Sequence, residues 1–411
     1  MIKILVAHPT SNQNSRAAVN GLLKAEMLNE FYTTIAAFPG DTLDKLSTIG
    51  PFKEISRRQF ESELKPFTKT SPYMEIGRLV SSRLGIKSLI KHETGVLSVD
   101  AIYQSLDIKI ANKLKKASKQ GLNAIYAYED GALNSFKKAK EYGIECLYDL
   151  PIGYWRYAQK LLSGEQERWP DWSSTLTGFM DSEAKLERKD QELALADRIF
   201  VASSFTAKSL GEYPGKLAPV KVIPYGFPEP IKTREYNMGN RPLKLLFVGG
   251  LSQRKGIANM FAAVENLLPH VELTVVGRKS TDDCVPLNKA LLKHKWIPSL
   301  PHDQILKLMQ DHDVLLFPSL FEGFGLVITE AMSQGTPVIT TDRTAGPDLI
   351  EHGHNGWLVQ AGSIDALQDC IQLLINKPEK IAEAGKAAIE TARKRPWSVY
   401  GQELAEAILR K

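Results

Sequence analysis

Residues 314–340 read VLLFPSLFEGFGLVITEAMSQGTPVIT. The apolar run Val314–Phe317 suits a strand buried on both faces, as in a parallel sheet. A loop carrying Glu322-Gly323-Phe324-Gly325 follows, then a helical pattern over Gly325–Ser333 and a second short strand at Pro337–Thr340. Strand, loop, helix and strand in that order predict a parallel α/β sheet. The loop glycines let backbone N–H groups at the helix start face a ligand, and the positive end of the helix favours an anion. Glu330 falls among Val327, Ile328, Ala331 and Met332, so the pattern predicts a carboxylate inside an apolar helix turn. An ionised carboxylate there is costly without strong donors. A vicinal diol offers two O–H donors to one carboxylate, so a ribose suits it.

Working outward, the same alternation fills the second half of the chain. Leu243–Val248 reads as a strand leading into Gly249-Gly250-Leu251-Ser252-Gln253-Arg254-Lys255-Gly256 and a helical pattern through Leu268. Strands are expected at Val271–Val276 and Lys295–Ile297, and helices over Leu287–Lys293, Asp303–Gln310 and Ile364–Ile375. The first half opens the same way, with an apolar run at Ile2–Ala7, a polar loop from His8 to Ser15 and a helical pattern through Leu28. Further strands are expected at Ala124–Ala127, Glu145–Tyr148, Arg198–Ala202 and Val220–Ile223. Two doubly wound, Rossmann-like α/β domains account for both halves: residues 1–228, a Pro- and charge-rich linker at 229–240, and residues 241–394. The last helical stretch, 397–411, follows a KRP break and is expected to pack back on the first domain.

The turn after Val248 sets two adjacent cations at a helix start. Arg254 offers a planar fork and Lys255 a compact charge, and together they suit a diphosphate. The spacing is neither the Walker pattern nor the G-x-G-x-x-G dinucleotide fingerprint, which argues against a kinase or a dehydrogenase. Composition agrees with an ordinary globular protein: 411 residues, 43% hydrophobic and 24% charged. No apolar run reaches the roughly 18 residues that span a bilayer. The start reads as a first strand and not as a signal peptide. Cys146, Cys284 and Cys370 are far apart and in no C-x-x-C pair, so neither a disulfide framework nor a zinc site is expected, and the setting reads as cytoplasmic. The net charge of +5 comes from the first half, where residues 1–228 hold 31 Lys and Arg against 26 Asp and Glu. Residues 45–120 alone hold 15 against 7.

Taken together, PSLFEGFGLVITEAMSQGTPVI and GGLSQRKG resemble the signature of the large retaining glycosyltransferase family numbered four, glycosyl transferases group 1, which has the GT-B fold of two facing Rossmann-like domains with a cleft between them. Weaker agreement surrounds them at 196–203, 222–226 and 353–359, and the likeness covers 196–360 well and the first 195 residues poorly. The resemblance implies that Glu330 holds the nucleotide ribose, and that Glu322 with Gly323, Phe324 and Gly325 contacts the donor sugar. Leu326 would offer its N–H to the diphosphate, and Lys255 and Arg254 would neutralise the leaving nucleoside diphosphate. Gly249 and Gly250 would form the phosphate turn, and Ile297 would frame the base. It implies hexosyl transfer with retention, from a UDP- or GDP-sugar to a saccharide or lipid-linked acceptor. Neither cofactor nor metal is expected, since side-chain cations and a helix end take the metal's role. The one D-x-D, Asp311-His312-Asp313, is expected to end a helix.

The chain departs from the family pattern in places. The usual Arg of the phosphate turn is Gly250, which leaves the fork to Arg254. The double-Gly loop after the first strand is replaced by Thr10–Ser15, with Asn14 as a donor-side candidate. The first-domain His that touches the donor sugar has no match; Asp149 is the nearest polar candidate and Trp155 an aromatic one for the acceptor. Residues 76–91, IGRLVSSRLGIKSLIK, read as a basic amphipathic helix and suggest contact with an anionic membrane surface, with the protein peripheral at the inner face. Nucleic acid is not expected as a partner. Two alternatives stay open: a non-catalytic relative that binds polysaccharide or lipid through its basic face, and a nucleotide-sugar epimerase or phosphorylase of the same fold.

Overall fold

The computed structural model describes residues 2–10, 12–47, 58–176, 180–237 and 239–410. Two wholly parallel sheets organise it. The first runs β3 (Thr68–Thr70), β2 (Leu28–Thr33), β1 (Ile4–Ala7), β4 (Ala124–Tyr128), β5 (Glu145–Leu150), β6 (Arg198–Val201) and β7 (Val220–Val222). The second runs β10 (Lys295–Ile297), β9 (Val271–Val276), β8 (Leu243–Val248), β11 (Val314–Phe317), β12 (Val338–Thr341) and β13 (Trp357–Val359). Both share the order 3-2-1-4-5-6 of doubly wound dinucleotide folds, the first with one further strand. Helices cover both faces, so central strands such as β4 and β11 are buried at every position.

In the second sheet, β9, β10 and β11 have the ends that the sequence predicts. The first domain differs more. Its first helix, Gln13–Lys24, stops short of Leu28 because Glu26 takes a left-handed φ of 57° that reverses the chain into β2. The edge strand β3 is three residues long and mostly exposed, too short for an alternation to show. In the second domain the helix after the cationic turn ends at Glu265, not Leu268, and is preceded by a 3-10 turn over Gln253–Lys255.

The chain crosses between the domains twice, side by side: the N–H of Phe227 donates to the carbonyl of Arg395 at 2.9 Å. The Arg395 guanidinium also reaches the carbonyls of Pro224 (Nε, 3.2 Å) and Tyr225 (3.3 Å). The final helix, Trp397–Leu409, then lies on the first helix of the chain. Glycines let the two backbones meet, since a Cβ on Gly21 would sit 2.2 Å from the carbonyl oxygen of Gly401. Segment 229–240, of which Met238 lies outside the described residues, is strapped to the second domain: Arg234 donates to Thr336 at 2.5 Å and Tyr236 to the Gly335 carbonyl at 2.7 Å. All three cysteines are buried and free. No helix among the described residues is long and apolar enough to cross a membrane.

Candidate active site

Two turns of the second domain, each at the carboxyl end of a central strand, come together. The turn after β8 closes on Gly256, whose φ is 69° and where a Cβ would lie 2.1 Å from the carbonyl oxygen of Pro318. Only glycine lets this turn press against the loop after β11. Leu320 N–H donates to the Arg254 carbonyl at 2.8 Å, which fastens the two loops. Gly325, with φ 90°, starts the helix Leu326–Ser333. A Cβ on Gly250 would meet nothing within 4 Å, so the outer face of the turn is open.

The charged residues converge on Glu322, which is 8% exposed. One of its carboxylate oxygens accepts from Arg254 Nη1 at 2.7 Å and from Ser319 Oγ at 3.0 Å, and is paired with Lys255 Nζ. Lys255 also lies over the Phe317 ring, 4.7 Å from its centroid. Burial alone would raise the Glu322 carboxyl; Lys255 and Arg254 overcome it and hold the group below its ordinary value. Burial lowers the Lys255 ammonium, against the pull of Glu322. The result is a carboxylate and two cations held together at a helix N-terminus, an arrangement suited to an anion flanked by hydroxyl groups.

Glu330 is less enclosed than its apolar neighbours predict. Its side chain is 21% exposed and lies 3.1 Å from Nε2 of His302, at the start of the helix His302–Gln310. His302 escaped the sequence reading because nothing in its local pattern marks it. Ile297 is half-buried at the end of β10, its carbonyl accepting from the Gly277 N–H at 3.0 Å. The D-x-D is structural: Asp313 chelates the Arg241 guanidinium at 2.7 and 2.8 Å, and His312 bonds Thr274 at 2.8 Å.

The first domain closes over this loop. The Gly323 carbonyl accepts from Ser203 Oγ at 2.5 Å and Thr206 Oγ1 at 2.9 Å, and a Cβ on Gly323 would sit 1.9 Å from the carbonyl oxygen of Pro151. Beside that contact lies an interdomain cavity of about 480 Å³, bordered by Trp155, Asp181 and Lys189 of the first domain and Arg254 and Phe321 of the second. Trp155 thus reaches the cleft, its indole N–H bonded to Asp190 at 2.8 Å.

Two first-domain candidates are placed otherwise than a ligand-binding role needs. Asn14 is buried and its side-chain amide donates to Tyr225 at 3.0 Å; Ser11 of the same loop lies outside the described residues. Asp149 is also buried, bonded to the Tyr126 hydroxyl within a nest of Tyr126, Tyr128, Tyr225 and Tyr400, and burial pushes its carboxyl up to about 7. Their side chains face the core because the strand and helix periods turn them inward, which a loop reading does not weigh. The tip of β4 holds a pair the sequence reading missed. Asp130 takes a left-handed φ of 70°, and buried Glu129, pushed up to about 7 by burial, lies 3.5 Å from Lys189 on the cavity wall. The Glu129-Asp130-Gly131 run directly after an apolar strand was the available signal.

Residues 229–394 match the family described as Glycosyl transferases group 1, and the second domain belongs to that family. Among curated proteins the chain is similar to the capsular polysaccharide biosynthesis glycosyltransferase CapM of Staphylococcus aureus, 26% identical over 53% of this chain and 62% of that protein. It is also similar to the amylovoran biosynthesis glycosyltransferase AmsK of Erwinia amylovora, 27% identical over 40% of this chain and 44% of that one. The aligned stretches thus span less than two thirds of these relatives. Over whole chains the fold is that of sucrose-phosphate synthase from Thermosynechococcus elongatus (TM-score 0.64, 17% identity, covering 100% and 99%). Anabaena HepE in complex with UDP is similar as well (TM-score 0.63, 17% identity, all of both chains). The architecture is GT-B, two Rossmann-like domains facing across a cleft.

Proposed function

We propose that this chain is a retaining, metal-independent hexosyltransferase that moves a hexosyl group from a nucleoside-diphosphate sugar to a saccharide or lipid-linked acceptor, in the synthesis of a cell-surface polysaccharide or glycolipid. The observation that carries the reading is the convergence of Arg254 and Lys255 on Glu322 beneath a glycine loop that opens a helix. In the reaction the two cations and the helix N-terminus take the charge of the leaving diphosphate. Glu322 accepts from donor-sugar hydroxyls, and Glu330, reachable at the cleft, accepts from the ribose diol. The bond from the anomeric carbon to the phosphate oxygen breaks, and the acceptor oxygen bonds that carbon on the same face. Its proton passes to the departing phosphate oxygen. The polysaccharide-building names of CapM and AmsK support the pathway class, and the UDP held by HepE supports a uridine donor.

A thermal-shift panel of UDP, GDP, ADP and their sugars, run on wild type and Glu330→Ala, tests this. A millimolar ligand on a micromolar site adds about 4 kcal/mol of stability, so one base should produce a large shift that the variant loses. Donor hydrolysis without acceptor, unchanged by a chelator, should accompany it. Absence of a shift with every nucleotide would overturn the reading.

A further inference from the structure

We infer that the helix Tyr73–Arg83 and the turn that follows it form a docking surface for an anionic lipid bilayer. The helix is seated inside out. A surface helix ordinarily buries its apolar stripe and shows polar groups to water. Here the buried residues are Glu75 and Ser81. Glu75 is 1% exposed, and its carboxylate accepts from Arg58 Nη2 at 2.5 Å and from Arg78 at 2.8 Å through both Nε and Nη2. Tyr73, Ile76, Val80 and Leu84, spaced three and four apart, lie on the outside, with Tyr73 87% and Leu84 69% exposed. Gly85, at φ 70°, turns the chain so that Ile86 joins them. The helix ends at Arg83, so the continuous helix that the sequence predicts over 76–91 is instead a helix and a protruding turn.

Charge selects the occupant. No acidic residue occurs from Ile76 to His92, and Arg83, Lys87 and Lys91 are exposed around Leu84 and Ile86. Neighbouring carboxylates are engaged inward: Glu75 with its two arginines, Glu93 with Ser182, and Asp100 with Arg188. A second copy meeting this face across a twofold axis would set cation against cation. A bilayer bearing acidic headgroups takes the apolar tip into its interface and the cations at its surface. The surface lies at the cleft end of the first domain. The helix leaves the carboxyl end of β3, Arg58 also donates to the Pro9 carbonyl at 3.4 Å beyond β1, and His92 borders the interdomain cavity. An acceptor presented by the membrane would therefore meet the cleft directly. The docking itself does not depend on the proposed reaction.

Co-sedimentation of the full chain with phosphatidylcholine vesicles, with and without phosphatidylglycerol, tests the surface, beside the double variants Leu84→Ser/Ile86→Ser and Arg83→Glu/Lys87→Glu. Wild type should pellet with the anionic vesicles only, and each variant should bind about tenfold or more weakly. Because all four side chains are exposed, melting temperatures should stay equal, which separates docking from folding. Failure of wild type to bind, undiminished binding by the variants, or a wild-type dimer in sedimentation equilibrium that the variants break would overturn the inference.

Discussion

The two domains share a strand order and yet carry their polar groups in opposite ways. In the second, glycine turns directly after β8 and β11 hold Arg254, Lys255 and Glu322 within a few residues of the strand ends, and the three meet at hydrogen-bond distance. In the first, the tip of β5 presents a carboxyl that is shut in, Asp149 among four tyrosines. The second domain thus keeps paired charge at the cleft. The first assembles buried polar clusters from residues as far apart as Asn14, Tyr126, Tyr225 and Tyr400. Paired charge at a strand end is built for a ligand; an enclosed carboxyl is built to hold the domain's shape.

The largest expected effect tests the second domain's half of that contrast. Glu322→Ala leaves Arg254 and Lys255 facing each other without their counter-ion. Removing one partner of a largely buried pair costs about 3–5 kcal/mol, and the partial exposure of Arg254 brings the expected loss to about 2–4 kcal/mol. Urea unfolding measures it, and donor binding should weaken with it. A saturating nucleoside diphosphate should restore part of the lost stability, because its charge replaces the carboxylate. If the variant is as stable as wild type, the three residues do not act as a unit.

A smaller effect is expected where the chain returns to the first domain. Gly21→Ala places a methyl group where the Gly401 backbone lies, and no side-chain rotation relieves that contact. Overpacking of this kind costs about 1–3 kcal/mol. The melting temperature should fall by more than nucleotide affinity does, since this helix pair reaches the donor loop through ring contacts alone, Tyr400 on Tyr225 at 5.1 Å and Tyr225 on Phe324 at 4.9 Å. Equal loss of both would mean that the last helix sets the geometry of the cleft as well as the stability of the first domain.

The same contrast explains what was legible. Strands β9, β10 and β11 could be placed to the residue because short apolar runs bounded by Gly, Pro and charge leave few other readings. The convergence on Glu322 was foreshadowed because each contributor sits in a local glycine context. The strand β2, LNEFYT, was hidden because its Leu28 continues the helical spacing of the preceding segment, and only the left-handed Glu26 breaks it. His302 facing Glu330 is a tertiary pairing with no local signature, and the run at Glu129 marks a strand tip without marking Lys189 as its partner. The inverted helix at Tyr73 shows the limit most plainly. Its apolar stripe is legible, but which face the domain covers is decided by Arg58 and Glu75, 17 residues apart.

The smallest effect tests whether the first domain's carboxyl is structural, and its sign is what matters. Burial raises the Asp149 carboxyl from 3.8 to about 7 in the folded chain, while the unfolded chain ionises it near its ordinary value. Between those values the unfolded state releases a proton that the folded state keeps. Stability from this group is therefore fully present below about pH 4 and declines as pH rises toward 7. His8, lowered to about 3 by burial and by Arg58, works in the other direction, losing stability as pH falls below 6.5. The wild-type profile mixes the two, so the informative quantity is its difference from Asp149→Asn. The amide still accepts from Tyr126 and does not titrate, so the variant should gain on wild type between pH 5 and 7, by on the order of 1–2 kcal/mol. Urea unfolding at the two pH values measures it. A difference that does not vary with pH would mean that Asp149 stays ionised when folded, and an ionised carboxylate at the tip of β5 would return it to the set of residues that can meet a sugar.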